Sequence, residues 1–370
     1  MVFFDPSTSI GMASDMLRLW LLFAGSVGKR IIIVPGYRIL GTTRDGQRVF
    51  PREIYFLHSP LIAKMPSLPA CMLRLFVTAC YIFTWVLRRL NARYSDSWTK
   101  SLFNAYDVYS PHSFSQEDVQ LLNPRFSIEL DLSPAQINRI QREVNGCGFQ
   151  LPDKYVCLHI RTGAYYEEDK DNIRNSSIDN YYRLIMNLIE RGFFVVRLGD
   201  NIKLPQRFVG LPGFFDYPSS PLKSELFDLW LIRNCTFYLG NLSGLQDTAF
   251  LFEKDVVLTN VIPQAFRYSG QKFVSLMKKI FLNPHSMMSR RDILEHVPDF
   301  LDHGEDFKFC ENTESELVAA LDAYFSYDTA SDDSFSVYQA RVLEFSRFRI
   351  GGSVSFENIK KSDGVLIFSS

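Results

Sequence analysis

The strongest constraint in this sequence is an alternation. Between residues 155 and 258, short runs rich in apolar residues and of strand length are separated by segments with helical spacing. Tyr155–Ile160 (YVCLHI), Phe193–Leu198 (FFVVRL), Thr236–Leu239 (TFYL) and Val256–Leu258 (VVL) read as buried strands, with a short further strand at Gly213–Tyr217. Between them, Ile178–Arg191 places Ile178, Tyr181, Tyr182, Ile185, Leu188 and Ile189 at helical spacing. Ser177 caps this helix and Gly192 closes it. Ser224–Asn234 and Gly244–Phe252 read as two more helices. Strands buried on both faces and joined by helices call for a parallel sheet covered on both sides.

The first 40 residues repeat the theme. Val2–Phe4 is a short strand, Asp5–Gly11 (DPSTSIG) has turn chemistry, Ala13–Phe23 is an apolar helix ended by Gly25 and Gly28, and Ile31–Val34 is a compact strand. Ser133 and Pro134 suit the start of a helix reaching to about Val144, stopped by Asn145, Gly146 and Gly148. The expected architecture is therefore α/β with two Rossmann-like domains facing across a cleft. The acceptor-side domain spans 1–148, a nucleotide-sugar-binding domain spans 149–330, and a helix and tail span 331–370.

Composition narrows the partners. Lys plus Arg total 40 and Asp plus Glu total 41, so there is no electrostatic footprint for nucleic acid. The six cysteines, at 71, 80, 147, 157, 235 and 310, form no C-x-x-C pair and read as buried reduced thiols, which places the chain in the cytoplasm. The N-terminus shows no secretory-signal pattern. Leu75–Leu87 is an uncharged run flanked by Arg74, Arg88 and Arg89. A spanning helix needs about 20 apolar residues, so this run reads as a buried helix or, second, as a peripheral contact with the inner face of the membrane.

Four groups of residues are candidates for chemistry. His159 and Arg161 lie at the end of a buried strand and, by the period of two, point to one face. Ligands of open α/β sheets bind beyond such ends, and a guanidinium suits a diphosphate. The alternative is a satisfied core histidine beside an arginine paired with a loop carboxylate. Ser243 and Gly244 open a helix, where backbone N–H groups favour an anion; an ordinary N-cap is the alternative. Gly199 and Asp200 end another strand, as a ribose contact or as a plain turn. The loop 165–175 (YYEEDKDNIRN) follows Arg161 and brings Arg174 and Asn175 toward the same place, while Glu167, Glu168 and Asp169 read as a solvated face. Asp15 is the expected general base, with His58 behind it. No metal and no cofactor are expected.

The stretches VCLHIRTGAYY, RNSSIDNYYRLI, GFFVVRLGD and LWLIRNCTFYLGNLSGLQDTAFLFEKDVVLTNVIP together resemble a family of bacterial glycosyltransferases from surface-polysaccharide gene clusters. The H-x-R element is similar to that of the α1,6- and O-fucosyltransferases. The resemblance covers about residues 150–265. It implies a GT-B fold, transfer from a nucleotide sugar to a saccharide or lipid-linked saccharide acceptor, and no metal. It carries His159, Arg161, Arg174, Asn175, Gly199, Asp200, Ser243 and Gly244 to donor binding, Tyr181 to the loop and helix behind them, and Arg161 also to catalysis. Thr162 stands where many relatives have an acidic residue, and Met12 where a His is expected. Those departures leave a catalytically degenerate nucleotide- or glycan-binding module as the alternative.

Overall fold

The structure, a computed structural model, describes residues 2–4, 10–26, 28, 30–31, 33–35, 53–62, 128–147, 150–163, 172–262, 272–283, 286–289, 292–293, 307–326 and 364–367. The apolar run 75–87 and the helix expected around 337–348 lie outside these residues. Among the described residues no helix is long and apolar enough to cross a membrane.

The expected βαβ start is present. Strand β1 (Val2–Phe4) leads to helix α1 (Ile10–Ser26) and to β2 (Ile33–Pro35), and the two strands pair in parallel. Helix α2 (Pro134–Cys147) begins on its proline, and Gln136 Oε1 accepts from both the N–H and the hydroxyl of Ser133.

The centre of the molecule is a seven-stranded sheet. Its strands are β3 (Tyr155–His159), β4 (Phe194–Leu198), β5 (Phe214–Asp216), β6 (Phe237–Gly240), β7 (Val256–Val261), β8 (Phe273–Met277) and β12 (Gly364–Ile367). The order is β12-β8-β7-β6-β3-β4-β5, with all neighbours parallel. The chain moves outward from β3 to β4 and β5, then returns to lay β6 on the other side of β3. The crevice between the ends of β3 and β6 is thus the topological switch point, the usual ligand position in such a sheet. A smaller antiparallel sheet joins β9 (Lys279–Asn283), β10 (Ser286–Met287) and β11 (Lys308–Cys310).

Alternation along the strands feeds two apolar cores. One face carries Tyr155, Cys157, Val196, Leu198 and Tyr238, covered by α1, α4 (Glu225–Asn234) and α5 (Gly244–Leu251). The other carries Val156, Leu158, Val195, Phe237, Leu239 and Val257, covered by α3 (Tyr182–Glu190) and α6 (Glu314–Ser326). The helix expected over 178–191 is a 3₁₀ turn at Ile178–Tyr181 that passes into α3, with the Ser177 hydroxyl accepting from Asp179 N–H. α4 has a strong local code. Ser224 accepts from Phe227 N–H, Glu225 and Asp228 stand in the first turn and Arg233 in the last, all agreeing with the helix dipole.

The first core draws buried residues from both sides of position 148. Ala13, Leu17 and Leu21 of α1 belong to the same buried cluster as Leu231, Ala249 and Leu251. The Ser14 and Thr248 hydroxyls meet at 2.9 Å inside the α1–α5 contact.

Candidate functional site

The site is best built from Asn241, the first residue beyond β6. Its backbone N–H donates to His159 O at 3.0 Å, extending the β3–β6 pairing by one step. Where the strands then part, its side chain takes over. Oδ1 accepts from Arg161 N–H at 3.0 Å, and Nδ2 lies within reach of Ser176 Oγ, Tyr181 OH and Thr259 O at 3.2, 3.1 and 3.0 Å. Asn241 is fully buried, so this amide replaces the hydration its neighbours' backbone would otherwise lose.

The network continues beneath the crevice. Tyr181 OH lies 2.7 Å from Thr259 Oγ1 and accepts from Asn260 Nδ2 at 2.9 Å. Asn260 and Asn312 exchange bonds, each backbone N–H donating to the other's side-chain oxygen at 2.6 and 2.7 Å. Asn260 holds this position at φ 52°, which asparagine tolerates better than most residues. A satisfied network of this size makes the floor of the crevice rigid.

Arg161 stands at the edge of that floor, partly buried. Its Nε donates to Asn175 Oδ1 at 3.2 Å, and its carbonyl accepts from Ser176 N–H at 2.9 Å. Asn175 O in turn accepts from the buried Lys278 Nζ at 2.8 Å. Arg174 engages its own loop, with backbone N and Nε donating to Asn172 Oδ1 at 3.0 and 3.2 Å. Of the sequence candidates, Arg161 and Asn175 are therefore brought into contact.

His159 lies on the α4–α5 face and is buried, and its Nδ1 has no hydrogen-bond partner among the described residues. Burial, reinforced by the Lys223, Arg197 and Arg161 charges, pulls its pKa down to about 3, so the imidazole is neutral near pH 7. Gly199, at φ 103°, abuts the ring: a Cβ there would lie 2.8 Å from His159 Cδ2. Glycine is needed at this turn both for its dihedral and for the close approach. Asp200 follows, half-buried. Burial raises its pKa against the opposing pull of Lys223, Arg197 and Arg161. Arg197 itself is fully buried, with Nε on Asp216 Oδ1 at 2.5 Å and Nη2 on Asp200 O at 2.9 Å.

Ser243 and Gly244 open α5 as the sequence suggests. Ser243 N–H donates to Gln246 Oε1 at 3.3 Å, so one of the N-terminal donors is met within the helix. Asp247, in the first turn, reaches toward the start of α1, its Oδ2 lying 2.7 Å from the place of a Cβ on Gly11. Two helix N-termini thus converge beside one carboxylate, an arrangement both dipoles favour.

Asp15 is on α1, but its side chain is outside the described residues, as are Met12's side chain and the acidic stretch 167–169. His58 is exposed and pairs through its backbone with Asp131. Three participants were not anticipated from sequence: Asn241, Lys223 and Lys278. Lys223 Nζ binds both carboxylate oxygens of Asp228, at 2.6 and 2.7 Å, and its charge acts on His159 and Asp200. Asn241 lies two residues before Ser243, in the turn that leads into α5, and that position is its only signal in the sequence.

No protein-family model matches the chain, and no curated protein matches it. Several solved structures are similar to it at low identity. The dodecameric iron-containing heptosyltransferase TibC, in complex with ADP-D-beta-D-heptose, aligns with 88% of this chain and 75% of its own at 14% identity and a TM-score of 0.39. TibC from enterotoxigenic E. coli H10407 aligns with 48% of this chain, at 16% identity and a TM-score of 0.29, and the chain spans 47% of that protein's length. E. coli heptosyltransferase WaaC with ADP aligns with 81% of this chain and 98% of its own at 10% identity and a TM-score of 0.35. Likenesses at this level carry no argument about activity. The parallel sheet with helices on both faces establishes the α/β, Rossmann-like class by itself.

One expectation is corrected here. The sequence reading expected no metal and no cofactor, whereas TibC is described as iron-containing, so a metal-free character is not carried forward. The described residues do not fit such a centre either: among them no three His, Cys, Asp or Glu side chains are grouped to hold a metal ion. No chemical step is assigned to a metal.

Proposed function

We propose that the chain is a GT-B-type glycosyltransferase that binds a nucleotide-sugar donor at the β3–β6 crevice and transfers its sugar to a saccharide or lipid-linked saccharide acceptor in bacterial surface-polysaccharide synthesis. The observation that carries this reading is the placement of Arg161. Its main chain is fixed by Asn241 and its guanidinium by Asn175, at the crevice where the strand order of the seven-stranded sheet reverses. A guanidinium held there offers charge-assisted hydrogen bonds to a diphosphate and stabilises the negative charge that grows on it as the glycosidic bond breaks. Ser243 and Gly244, at the N-terminus of α5, are the proposed contacts on the phosphate side of the donor, and Gly199 with Asp200, at the end of β4, are the proposed contacts at its border. Neutral His159 offers a hydrogen bond rather than a charge. α1, with Asp15 as the proposed base, belongs to the acceptor-side half. The donor-side half begins near residue 149, and the protein works in the cytoplasm.

The test is a thermal-shift screen of the purified protein against ADP, GDP, UDP, CDP, CMP and their sugar conjugates, with Arg161→Ala beside it. A ligand that binds only the native state raises the melting temperature by mass action. The expected result is a rise with one nucleotide class that disappears in Arg161→Ala. A folded protein that responds to none of them sinks the reading. Binding without donor hydrolysis or transfer assigns the chain to the degenerate binding module instead.

A further inference from the structure

Lys278 is the most unusual cation in the described part of the molecule. It follows the last residue of β8 and is 3% exposed. Its backbone N–H completes the β7–β8 ladder on Val261 O at 2.8 Å. The ammonium has three donors, and among the described residues it makes one hydrogen bond, to Asn175 O. No carboxylate lies within ion-pair distance of it there. The next residue, Lys279, is answered by Glu316 at 3.3 Å. The acid nearest in effect to Lys278 is Glu311, and its Oε2 is already engaged by Ser177 N–H and Asn180 Nδ2, both at 2.9 Å.

Taking an ammonium out of water without an anion is unfavourable on general grounds, and an apolar residue of similar length would avoid that cost. Burial accordingly lowers the Lys278 pKa, against the pull of Glu311. A group that weakens the empty fold in this way needs a compensating use. Its tether supplies one, because Asn175 presents its carbonyl to Lys278 and its side-chain amide oxygen to Arg161. The two cations are therefore separated by a single residue at the lip of the crevice.

We propose that Lys278 is a second cationic binding residue of the crevice, whose charge is balanced by the diphosphate of the bound nucleotide and which selects for anionic over neutral ligands. This rests on the donor-site reading above. The effect is electrostatic and acts across the width of Asn175, so it requires no direct contact. It strengthens the affinity for the charged part of the ligand and is indifferent to the nucleoside.

The experiment compares the affinities of ADP, GDP, UDP and CDP with those of their nucleosides, by calorimetry, in wild type, Lys278→Met, Lys278→Gln and Lys278→Arg, with the unliganded melting temperature of each. The expected result is that both neutral variants lose at least about fivefold in diphosphate affinity relative to nucleoside affinity, while Lys278→Arg keeps the wild-type ratio. The same neutral variants, unliganded, melt no lower than wild type, which a purely structural lysine would not allow. An unchanged diphosphate-to-nucleoside ratio in a folded neutral variant overturns the proposal and leaves the donor site standing. A wild-type protein that binds none of the four diphosphates overturns the donor site and this proposal with it.

Discussion

Gly11 and Gly244 face each other where the N-termini of α1 and α5 meet, each filling the space in which the other would carry a side chain. A Cβ on Gly11 would run into Gly244 Cα, and one on Gly244 would lie 2.9 Å from Gly11 N. The obstacle in both directions is backbone, which cannot swing aside as a flexible side chain can. Below this contact Ser14 meets Thr248, and Leu17 and Leu21 are fully buried. Gly11→Ala should therefore push the two helices apart and cost about 1–3 kcal/mol, as overpacking does. Urea titration monitored by circular dichroism reads this directly. A variant as stable as wild type would show that the helices are not in contact as described.

Asn241 has a different kind of importance. Its side chain bridges Arg161 N–H, Ser176, Tyr181 and Thr259 O in a place closed to water. Asn241→Ala leaves at least one buried donor and one buried acceptor without partners, at about 1–3 kcal/mol each. Asn241→Asp keeps the shape and still accepts from Arg161 N–H, but sets a second carboxyl oxygen against Thr259 O. The expected order of stability is wild type, then Asp, then Ala at pH 5, with Asp falling further as the pH rises and its carboxyl ionises. Chemical denaturation of the three proteins at pH 5 and pH 8 measures it.

Much of this fold was legible because its code is local. The β3, β4, β6 and β7 runs are rich in apolar residues and of strand length, and Ser177, Ser224 and Gly192 punctuate the helices between them. Arg161 and Ser243 were legible for the same reason, since each stands just beyond the end of a strand. What escaped depends on contacts distant in the chain. Nothing near Asn241 says that its amide reaches Arg161 80 residues away, or that Lys278 binds a carbonyl 103 residues away. The α1–α5 contact, between residues 234 apart, was hidden in the same way. His159 was placed correctly at the strand end, but its neutral state follows from burial among cations that only the packed sheet brings together.

Asn260 tests whether backbone conformation or side-chain bonding dominates beneath the crevice. It holds φ at 52° and shares a pair of hydrogen bonds with Asn312. Asn260→Gly and Asn260→Ala both lose the amide, and only alanine is also forced into an unfavourable dihedral. Alanine should therefore be less stable than glycine by about 1 kcal/mol, the reverse of their order in an ordinary helix or strand. Thermal unfolding of the pair checks this, and alanine as the more stable variant would remove the backbone argument.

His159 makes stability depend on pH with a definite sign. Its pKa is about 3 in the fold against an ordinary value of 6.5. Above pH 6.5 the imidazole is neutral in both states and contributes no pH dependence. As the pH falls below that value, the unfolded chain takes up a proton that the folded chain refuses, and stability declines toward pH 3. The linkage slope of about 1.4 kcal/mol per pH unit gives a loss of about 2 kcal/mol between pH 7 and pH 5 from this one group. Asp200, raised by its burial, acts with the opposite sign and is common to wild type and variant. His159→Asn and His159→Gln remove the titrating ring and keep a polar side chain. Their absolute stability is lower, but their decline from pH 7 to pH 5 should be shallower than wild type by about that amount. Urea midpoints at pH 7, 6 and 5 settle it. Parallel curves for wild type and both variants would mean that His159 takes up its proton in the folded state as readily as in the unfolded one, and that the ring is not shut away among Lys223, Arg197 and Arg161.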